Sequence, residues 1–466
     1  LAQNPVLYAV EGLRAALDSQ VRGTPPPGLS LLAVDEAIRR AQALLAKEGT
    51  FPSSHYPFVQ TLQQPSLREL RPSPAPNVLL IFIEGLDRRF LGIQRRGVAV
   101  TPFLDRLKED SLYFDRFFSN GVQTSRGLLD TLCSTYPRHG EAAMKARYTH
   151  DYFCMPELLR RAGYRTEMVV SQHRDINRLH LFMSRNGLQQ LFDESDFPAG
   201  AARLGLGYTD GALFDLFKKR IVALQAIQQP FFLTTLTLAT HHPFAFPVDD
   251  EAITALNQEQ DGYVPALRYT DREFERLFEA LRHEGLLRNT IVFILGDHGR
   301  HEAVGETMME KQLGHFMAPL LIWCDESLRM ETLCRPGTVH AVTSQVDVAP
   351  TILGFLGLSP RVEAFMGRDV SCEVAGPCTR PGQAFLSSVY DDLIGWVDEQ
   401  GILTYSFRTE QLFTTDIDVQ QAPILHASDE STVQERLTNM LALHVASNVL
   451  LDQNRLWNWR EWGAKL

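Results

Sequence analysis

Three places in this chain put reactive side chains where an enzyme could use them. Glu84 stands directly after the apolar run 78–83. Asp297 and His298 follow the run 291–295, in the string Ile-Leu-Gly-Asp-His-Gly, and Gly121-Val122-Gln123-Thr124-Ser125 follows the run 112–118 and opens a helical stretch. In open α/β sheets ligands bind outside the carboxyl ends of the strands, so polar residues just past apolar runs are the ones that meet them. Taken singly, Glu84 could be a first-turn acid, Asp297-His298 a capping pair and Thr124 an N-cap. Taken together, two carboxylates, an imidazole and a hydroxyl form an oxygen-rich donor set with one nitrogen, which suits Mn²⁺ or Zn²⁺ better than Mg²⁺. A hydroxyl bound to such a cation loses its proton more readily and becomes a nucleophile, while a helix N-terminus offers N–H groups to a phosphate. The chemistry implied is phosphoryl or sulfuryl transfer through a covalent intermediate.

The elements that must position these residues are read from periodicity. From Asn77 onward, apolar runs at 78–83, 112–118, 165–171, 231–238, 291–295 and 320–323 alternate with helical patterns at 102–110, 125–136, 155–162, 210–226 and 265–284. That rhythm belongs to a mainly parallel sheet covered by helices on both faces. Thr101-Pro102 reads as a helix start, with Thr as N-cap and Pro at the first helical position. Upstream, 11–17 and 31–48 carry helical periodicity, Glu48-Gly49 closes the second, and the proline-rich 71–76 cannot continue a helix. Beyond Pro360, strand-like pieces at 384–390, 393–398 and 402–407 precede a helix at 433–451. The expected organisation is a helical lead-in and linker over 1–75, an α/β catalytic domain over 76–360, and a C-terminal subdomain with a small sheet and terminal helix over 361–466.

Composition narrows the partners. A chain of 466 residues with 44% hydrophobic content can bury a large core and is not disordered. Its 45 Lys+Arg against 56 Asp+Glu leave a net charge of −11, which argues against nucleic acid held by bulk charge but leaves room for a local anion site. No run reaches the roughly 18 apolar residues that span a bilayer. The chain starts at Leu1 without a basic and apolar leader, so a processed or truncated product is expected. Six cysteines lie as neighbours in sequence, Cys133 with Cys154, Cys324 with Cys334 and Cys372 with Cys378, and there is no C-x-x-C motif. The pattern favours disulfides in an oxidising compartment over zinc; connectivity stays open, and six reduced, buried cysteines are the alternative.

The ordered strings Asn77-Val78-Leu79-Leu80-Ile81-Phe82-Ile83-Glu84, Thr101-Pro102-Phe103-Leu104-Asp105, Gly121 to Ser125, His241-His242-Pro243-Phe244, Gly296-Asp297-His298-Gly299 and Asp347-Val348-Ala349-Pro350-Thr351-Ile352-Leu353 resemble the alkaline phosphatase/sulfatase superfamily. Within it, the pattern resembles the ectodomains of the lipoteichoic acid synthase and phosphoglycerol transferase branch. The resemblance implies an alkaline-phosphatase-like α/β/α sandwich with one divalent metal ion, Mn²⁺ first and Zn²⁺ or Mg²⁺ as alternatives. It makes Glu84, Thr124, Asp297 and His298 the metal ligands and Thr124 also the nucleophile; Ser125 offers a second hydroxyl, and the family pattern selects Thr124. Asn177 and Arg178 match the family's Trp-Asn-Arg phosphate motif, with Ile176 in place of the Trp. Gly85 stands where lipoteichoic acid synthases usually have Ser. His241 matches the His-x-Pro position ahead of Pro243, where it would protonate the leaving alcohol or hold the phosphate. His242 joins the substrate contacts or packs into the core.

Two other chemistries fail on spacing. Cys133-Ser134-Thr135-Tyr136-Pro137-Arg138 has Pro and Arg at the wrong offsets for the formylglycine motif of sulfatases, and His139 stands where the cysteine-phosphatase pattern needs Arg. A second metal, if bound, would draw on His301, Glu302, Glu306 and His315. The activity implied moves a phospholipid head group to a glycan or polyglycerophosphate acceptor through a phosphothreonine. Phosphoethanolamine transfer and phosphodiester or phosphate hydrolysis are the alternatives in the same fold, and a catalytically silent glycan- or lipid-binding ectodomain is the alternative outside it. The family's habit of tethering this domain behind transmembrane helices implies a released or engineered ectodomain. Its place is then the cell envelope, on the periplasmic or extracellular face of the bacterial inner membrane.

Overall fold

The apolar runs become strands because each is covered on both faces. In β1 (Asn77–Ile83), Val78, Leu80 and Phe82 enter one hydrophobic core, and Leu79, Ile81 and Ile83 enter a second on the opposite side. The computed structural model describes residues 32–62, 73–258, 262–300, 307–329, 334–374, 376–419, 424–425 and 431–465. In chain order the other strands of the central sheet are β2 (Leu112–Phe114), β3 (Arg165–Val170), β4 (Gln190–Phe192), β5 (Phe231–Leu236), β6 (Thr290–Gly296), β7 (Leu320–Cys324) and β8 (Gly337–Val339). They form an eight-stranded sheet in the order β8-β2-β7-β6-β1-β5-β3-β4. Every neighbouring pair is parallel except those of β7, which runs antiparallel to β6 and to β2. Ile83 of β1 pairs with Gly296 of β6, and Phe82 with Leu236 of β5, so three central strands end level at one carboxyl edge.

The helices are α1 (Val34–Leu45), α2 (Pro102–Glu109), α3 (Thr124–Cys133), α4 (Met155–Arg161), α5 (Asp210–Ala226), α6 (Tyr263–His283), α7 (Val348–Phe355) and α8 (Ser431–Asp452). Apolar faces of α2, α5 and α6 fill the core on the Leu79 side, and those of α1, α3, α4, α7 and α8 fill the other, giving the three-layer α/β/α arrangement. A second sheet of five antiparallel strands, β9 (Ala384–Ser388), β10 (Leu393–Asp398), β11 (Gly401–Ser406), β12 (Gln411–Thr415) and β13 (Ile424–Leu425), precedes α8. α1 lies against α8, where Arg40 Nε donates to Asn439 Oδ1 at 2.7 Å. Three disulfides join the cysteines as sequence neighbours: Cys133–Cys154, Cys324–Cys334 and Cys372–Cys378. Among the described residues no helix is long and apolar enough to cross a membrane.

Several local expectations change. The run 112–118 splits: Leu112–Phe114 stays in the central sheet, whereas Phe117–Phe118 pairs with Thr343–Ser344 in a separate two-stranded ladder. β5 stops at Leu236 because the N–H groups of Leu238 and Ala239 turn to the Asp210 carboxylate at the start of α5. α3 begins one residue earlier than expected and ends at Ser134, which takes the left-handed conformation. α1 ends at Leu45, short of Glu48-Gly49. Thr101 does not cap α2 with its side chain; its hydroxyl donates to Phe90 O and Asp105 Oδ1. The cap comes from across the core, where the Asp271 carboxylate accepts the N–H groups of Phe103 (3.0 Å) and Leu104 (2.8 Å). The helical pattern at 11–17 lies outside the described residues.

Candidate active site

Glu84 leaves the end of β1 at the level where β6 ends, so the chain must turn there. Gly85 turns it with φ of +59°, a conformation that disfavours side chains, and its N–H donates to Asp297 Oδ1 at 2.8 Å. Glu84 is fixed through its backbone: its N–H donates to Thr237 Oγ1 (3.0 Å), and Thr240 Oγ1 donates to its carbonyl (2.5 Å). Asp297 and His298 follow β6. His298 Nδ1 lies 2.7 Å from Gly299 O, so the proton sits on Nδ1 and Nε2 faces the carboxylates, 3.2 Å from Glu84 Oε1 and 3.4 Å from Asp297 Oδ2. Thr124, the first residue of α3, donates its hydroxyl to Glu84 Oε2 at 3.2 Å.

α3 can seat this close to β6 because Gly127 has no side chain. A Cβ there would stand 2.0 Å from the Asp297 carbonyl oxygen and 3.1 Å from Gln345 Nε2. Gln345 clamps the same backbone, donating to Asp297 O (2.8 Å) and Gly296 O (3.1 Å) while its Oε1 accepts the N–H of Asn120 (3.2 Å). The first backbone bonds of α3 run from Arg126 and Gly127 to Gln123 O, so the N–H groups of Thr124 and Ser125 stand ahead of the helical ladder.

Glu84, Asp297 and His298 are 3%, 0% and 1% exposed, and their ligand atoms lie within 4.8 Å of one another. Burial, and next the charge of Glu84, raises the Asp297 carboxyl well above the ordinary carboxylate range. Burial lowers the His298 imidazole, but Asp297 and Glu84 outweigh it and hold it above its ordinary value. With the Nε2 proton displaced and both carboxylates ionised, the three side chains together would carry a charge of about −2, which a divalent cation matches and a single proton does not. A ring with Nδ1–H donated to a carbonyl and Nε2 turned toward carboxylate oxygens is also the form in which histidine binds metal. The residues present therefore fit a divalent metal ion.

The structure thus brings Glu84, Thr124, Asp297 and His298 together. Asn177 and Arg178 lie on the segment that follows β3, at the same edge, both with positive φ (54° and 60°). Arg178 is exposed, with its guanidinium 4.9 Å from the Tyr148 ring centroid. His241 is exposed on the loop after β5, its Nδ1 2.7 Å from His242 O, and it lines a small cleft with Leu204, Leu206 and Tyr208. His242 is exposed as well, with its ring edge-on to Phe244, so it is not a core residue. His301, Glu302 and Glu306 lie outside the described residues; His315 is near Asp391, with Nδ1 3.4 Å from Oδ2. Thr237, Thr240, Gly127 and Gln345 escaped the reading of the sequence. Thr237 and Thr240 stand at the end of an apolar run beside His241, a placement too common for threonine to have singled them out.

Residues 76–358 match the family model for sulfatases. The lipoteichoic acid synthase-like YvgJ of Bacillus subtilis (strain 168) is 26% identical over 314 residues, 63% of this chain and 49% of that protein. The lipoteichoic acid synthase of Staphylococcus aureus (strain USA300) is 25% identical over 335 residues, 67% of this chain and 51% of that protein. The chain spans about half the length of these curated relatives. Among solved structures, a protein of the alkaline phosphatase superfamily from Vibrio parahaemolyticus superposes with a TM-score of 0.76 at 19% identity, covering 92% of this chain and 98% of that one. The lipoteichoic acid synthase LtaP of Listeria monocytogenes does so with a TM-score of 0.68 at 16% identity, covering 89% and 98%. At these identities the structures establish the shared fold.

Proposed function

Because the chain belongs to the sulfatase family, we propose that it is a phosphotransferase that moves the phosphoglycerol head group of a phospholipid to a hydroxyl acceptor through a phosphothreonine at Thr124. The observation that carries this reading is the Thr124 hydroxyl at 3.2 Å from Glu84, at the first turn of α3 and beside Asp297 and His298. Glu84, Asp297, His298 and Thr124 would hold one divalent ion, for which Mn²⁺ suits the mixed oxygen and nitrogen donors. When bound, that ion supplies Lewis acidity, lowering the proton affinity of the Thr124 hydroxyl and offsetting phosphate charge.

Thr124 Oγ1 attacks the head-group phosphorus, and the bond to the diacylglycerol oxygen breaks. The N–H groups of Thr124 and Ser125 offer donors to the phosphate oxygens at the helix N-terminus. Arg178 and Asn177 approach the phosphate from the β3 side, and His241, with His242 beside it, lies on the loop from which a proton could pass to the departing alkoxide. The acceptor then displaces Thr124. The reading places the domain on the outer face of a bacterial inner membrane, within reach of lipid head groups. The curated relatives, named as lipoteichoic acid synthases, support this branch of the family over phosphoethanolamine transfer or simple hydrolysis.

Incubation with phosphatidylglycerol and Mn²⁺ tests the proposal by intact-mass spectrometry. The expected result is a glycerophosphate adduct that maps to Thr124 and is absent from Thr124→Ala. An adduct persisting in Thr124→Ala, or release of free glycerophosphate at the same rate with and without acceptor, defeats the transferase reading.

A further inference from the structure

The turn at residues 389–392, between β9 and β10, is where the C-terminal sheet reaches the site. β9 is stitched to the nucleophile loop: Ser387 N–H donates to Asn120 O (2.9 Å), Asn120 Nδ2 donates to Phe385 O (2.8 Å), and Gly121 forms a parallel bridge with Ser387. Beyond that anchor, the Tyr390 hydroxyl accepts a hydrogen bond from Nε2 of Gln123, the residue before Thr124, at 3.1 Å. On its other side, Asp391 Oδ2 lies 3.4 Å from His315 Nδ1, and the His315 carbonyl accepts the N–H of Gly299, next to His298, at 2.7 Å. The turn is therefore tied both to the residue before the nucleophile and to the loop that carries His298.

Held this firmly, Tyr390 is still 46% exposed. An aromatic ring with an anchored polar end and a face left to water costs apolar hydration, and that face matches the C–H surface of a sugar or polyol. The surrounding charge selects against phosphate. Asp391 and Asp392 stand on the turn itself; the Arg408 guanidinium donates to the Tyr390 carbonyl, and the Arg126 guanidinium behind Gln123 is buried and taken up by the carbonyls of Arg138 and Gly140. Asp392 faces His139, 3.2 Å from its Nε2. Asp391 Oδ2 also accepts from Ser388 Oγ at 2.8 Å, which fixes this carboxylate on the turn. A chain of phosphodiesters would be repelled here, whereas neutral hydroxyls would find carboxylate acceptors.

We propose that residues 389–392 form the acceptor wall of the site, with Tyr390 as its platform, and that the acceptor is a neutral sugar or polyol chain rather than a polyglycerophosphate. This rests on Thr124 as the nucleophile. The acceptor hydroxyl oxygen bonds to the phosphorus of the phosphothreonine diester, the bond from phosphorus to Thr124 Oγ1 breaks, and the hydroxyl proton ends on Thr124 Oγ1.

The test titrates the Mn²⁺-loaded chain by calorimetry with a neutral gluco-oligosaccharide and with a glycerophosphate oligomer of similar length. The sugar should bind at least about ten-fold tighter, a difference of about 1.4 kcal/mol. Tyr390→Ala should weaken it about ten-fold, Tyr390→Phe, which keeps the ring, should stay within about three-fold, and Asp391→Asn with Asp392→Asn should strengthen the glycerophosphate oligomer. Equal sugar binding by Tyr390→Ala, tighter binding of the phosphate oligomer by the unaltered chain, or no sugar binding at all overturns the proposal. Failure of the nucleophile reading shows itself separately, as sugar binding without an adduct on Thr124.

Discussion

His298 and His444 are both buried, and their surroundings push them in opposite directions. His298 sits at the carboxyl edge of the central sheet between Glu84 and Asp297, whose charges overcome burial and hold its proton. His444 lies on α8, where burial, helped by His139 and Arg138, pushes the imidazole down to about 3. Its Nε2 lies 3.3 Å from Asn448 Nδ2, and its Nδ1 has no hydrogen-bond partner among the described residues. One histidine is held protonated by two carboxylates gathered out of water; the other is kept neutral as a packing residue. Opposing charge gathered where solvent is excluded marks a site built for a ligand rather than for the fold.

Asp297→Asn puts the largest strain on that contrast. Removing one carboxylate should cut head-group transfer by about a thousand-fold or more, equivalent to roughly 4 kcal/mol of lost transition-state stabilisation. Stability should move the other way in chelator. An acid whose folded pKa is raised above its unfolded value of 3.8 contributes stability at low pH and loses it as pH rises through the folded value, here about 7. At pH 8 without metal the Asn variant should therefore melt above the unaltered chain, while added Mn²⁺ should raise the melting temperature of the unaltered chain more. A variant that melts lower in chelator would make Glu84, Asp297 and His298 a structural network and erase the contrast with His444.

The two regions also differ in how far they can be read from sequence. The strand ends that carry Glu84 and Asp297-His298 were legible because apolar runs buried on both faces are nearly continuous, so the first polar residue marks the edge. The cysteine pairs lay as neighbours and are bonded that way. Thr237 and Thr240, which fix the Glu84 backbone, are separated from it by 153 and 156 residues, and threonine after a strand is too common to signal such a contact. Asp271 capping α2 from 168 residues away is the same case: a cap visible only after α6 has packed. The Tyr390–Gln123 contact joins the turn between β9 and β10 to the residue before α3 and has no local pattern at all.

Gly127→Ala should have the next largest effect, and it sharpens the comparison by moving the site's frame without touching a ligand. Its Cβ would meet the Asp297 carbonyl at 2.0 Å, a backbone atom that cannot rotate away, so α3 must shift and carry Thr124 with it. Overpacking of this kind costs about 1 to 3 kcal/mol. The expected outcome is a lowered melting temperature together with about a ten- to hundred-fold loss of turnover. Turnover unchanged in a chain that melts normally would mean that α3 does not need this contact to present Thr124.

His444→Leu tests the other side and should have the smallest effect at neutral pH. A histidine whose folded pKa is depressed gives its full contribution to stability above the unfolded value of 6.5, and loses it as pH falls toward the folded value near 3. At about pH 4.5 the unaltered chain should have lost roughly 2 to 3 kcal/mol through this group, at about 1.4 kcal/mol per pH unit. The leucine variant, with nothing to protonate, should lack that slope, while at pH 8 it should stay within about 1 kcal/mol of the unaltered chain, because the hydrogen bond with Asn448 is lost while an apolar side chain still packs against Phe407. Urea midpoints at pH 8, 6 and 4.5 in the presence of chelator measure both, and the quantity to read is the difference between the two chains, since other groups titrate in both. Parallel pH profiles would mean that His444 keeps its proton in the fold, and that burial without opposing charge does not separate the packing histidine from the one at the site.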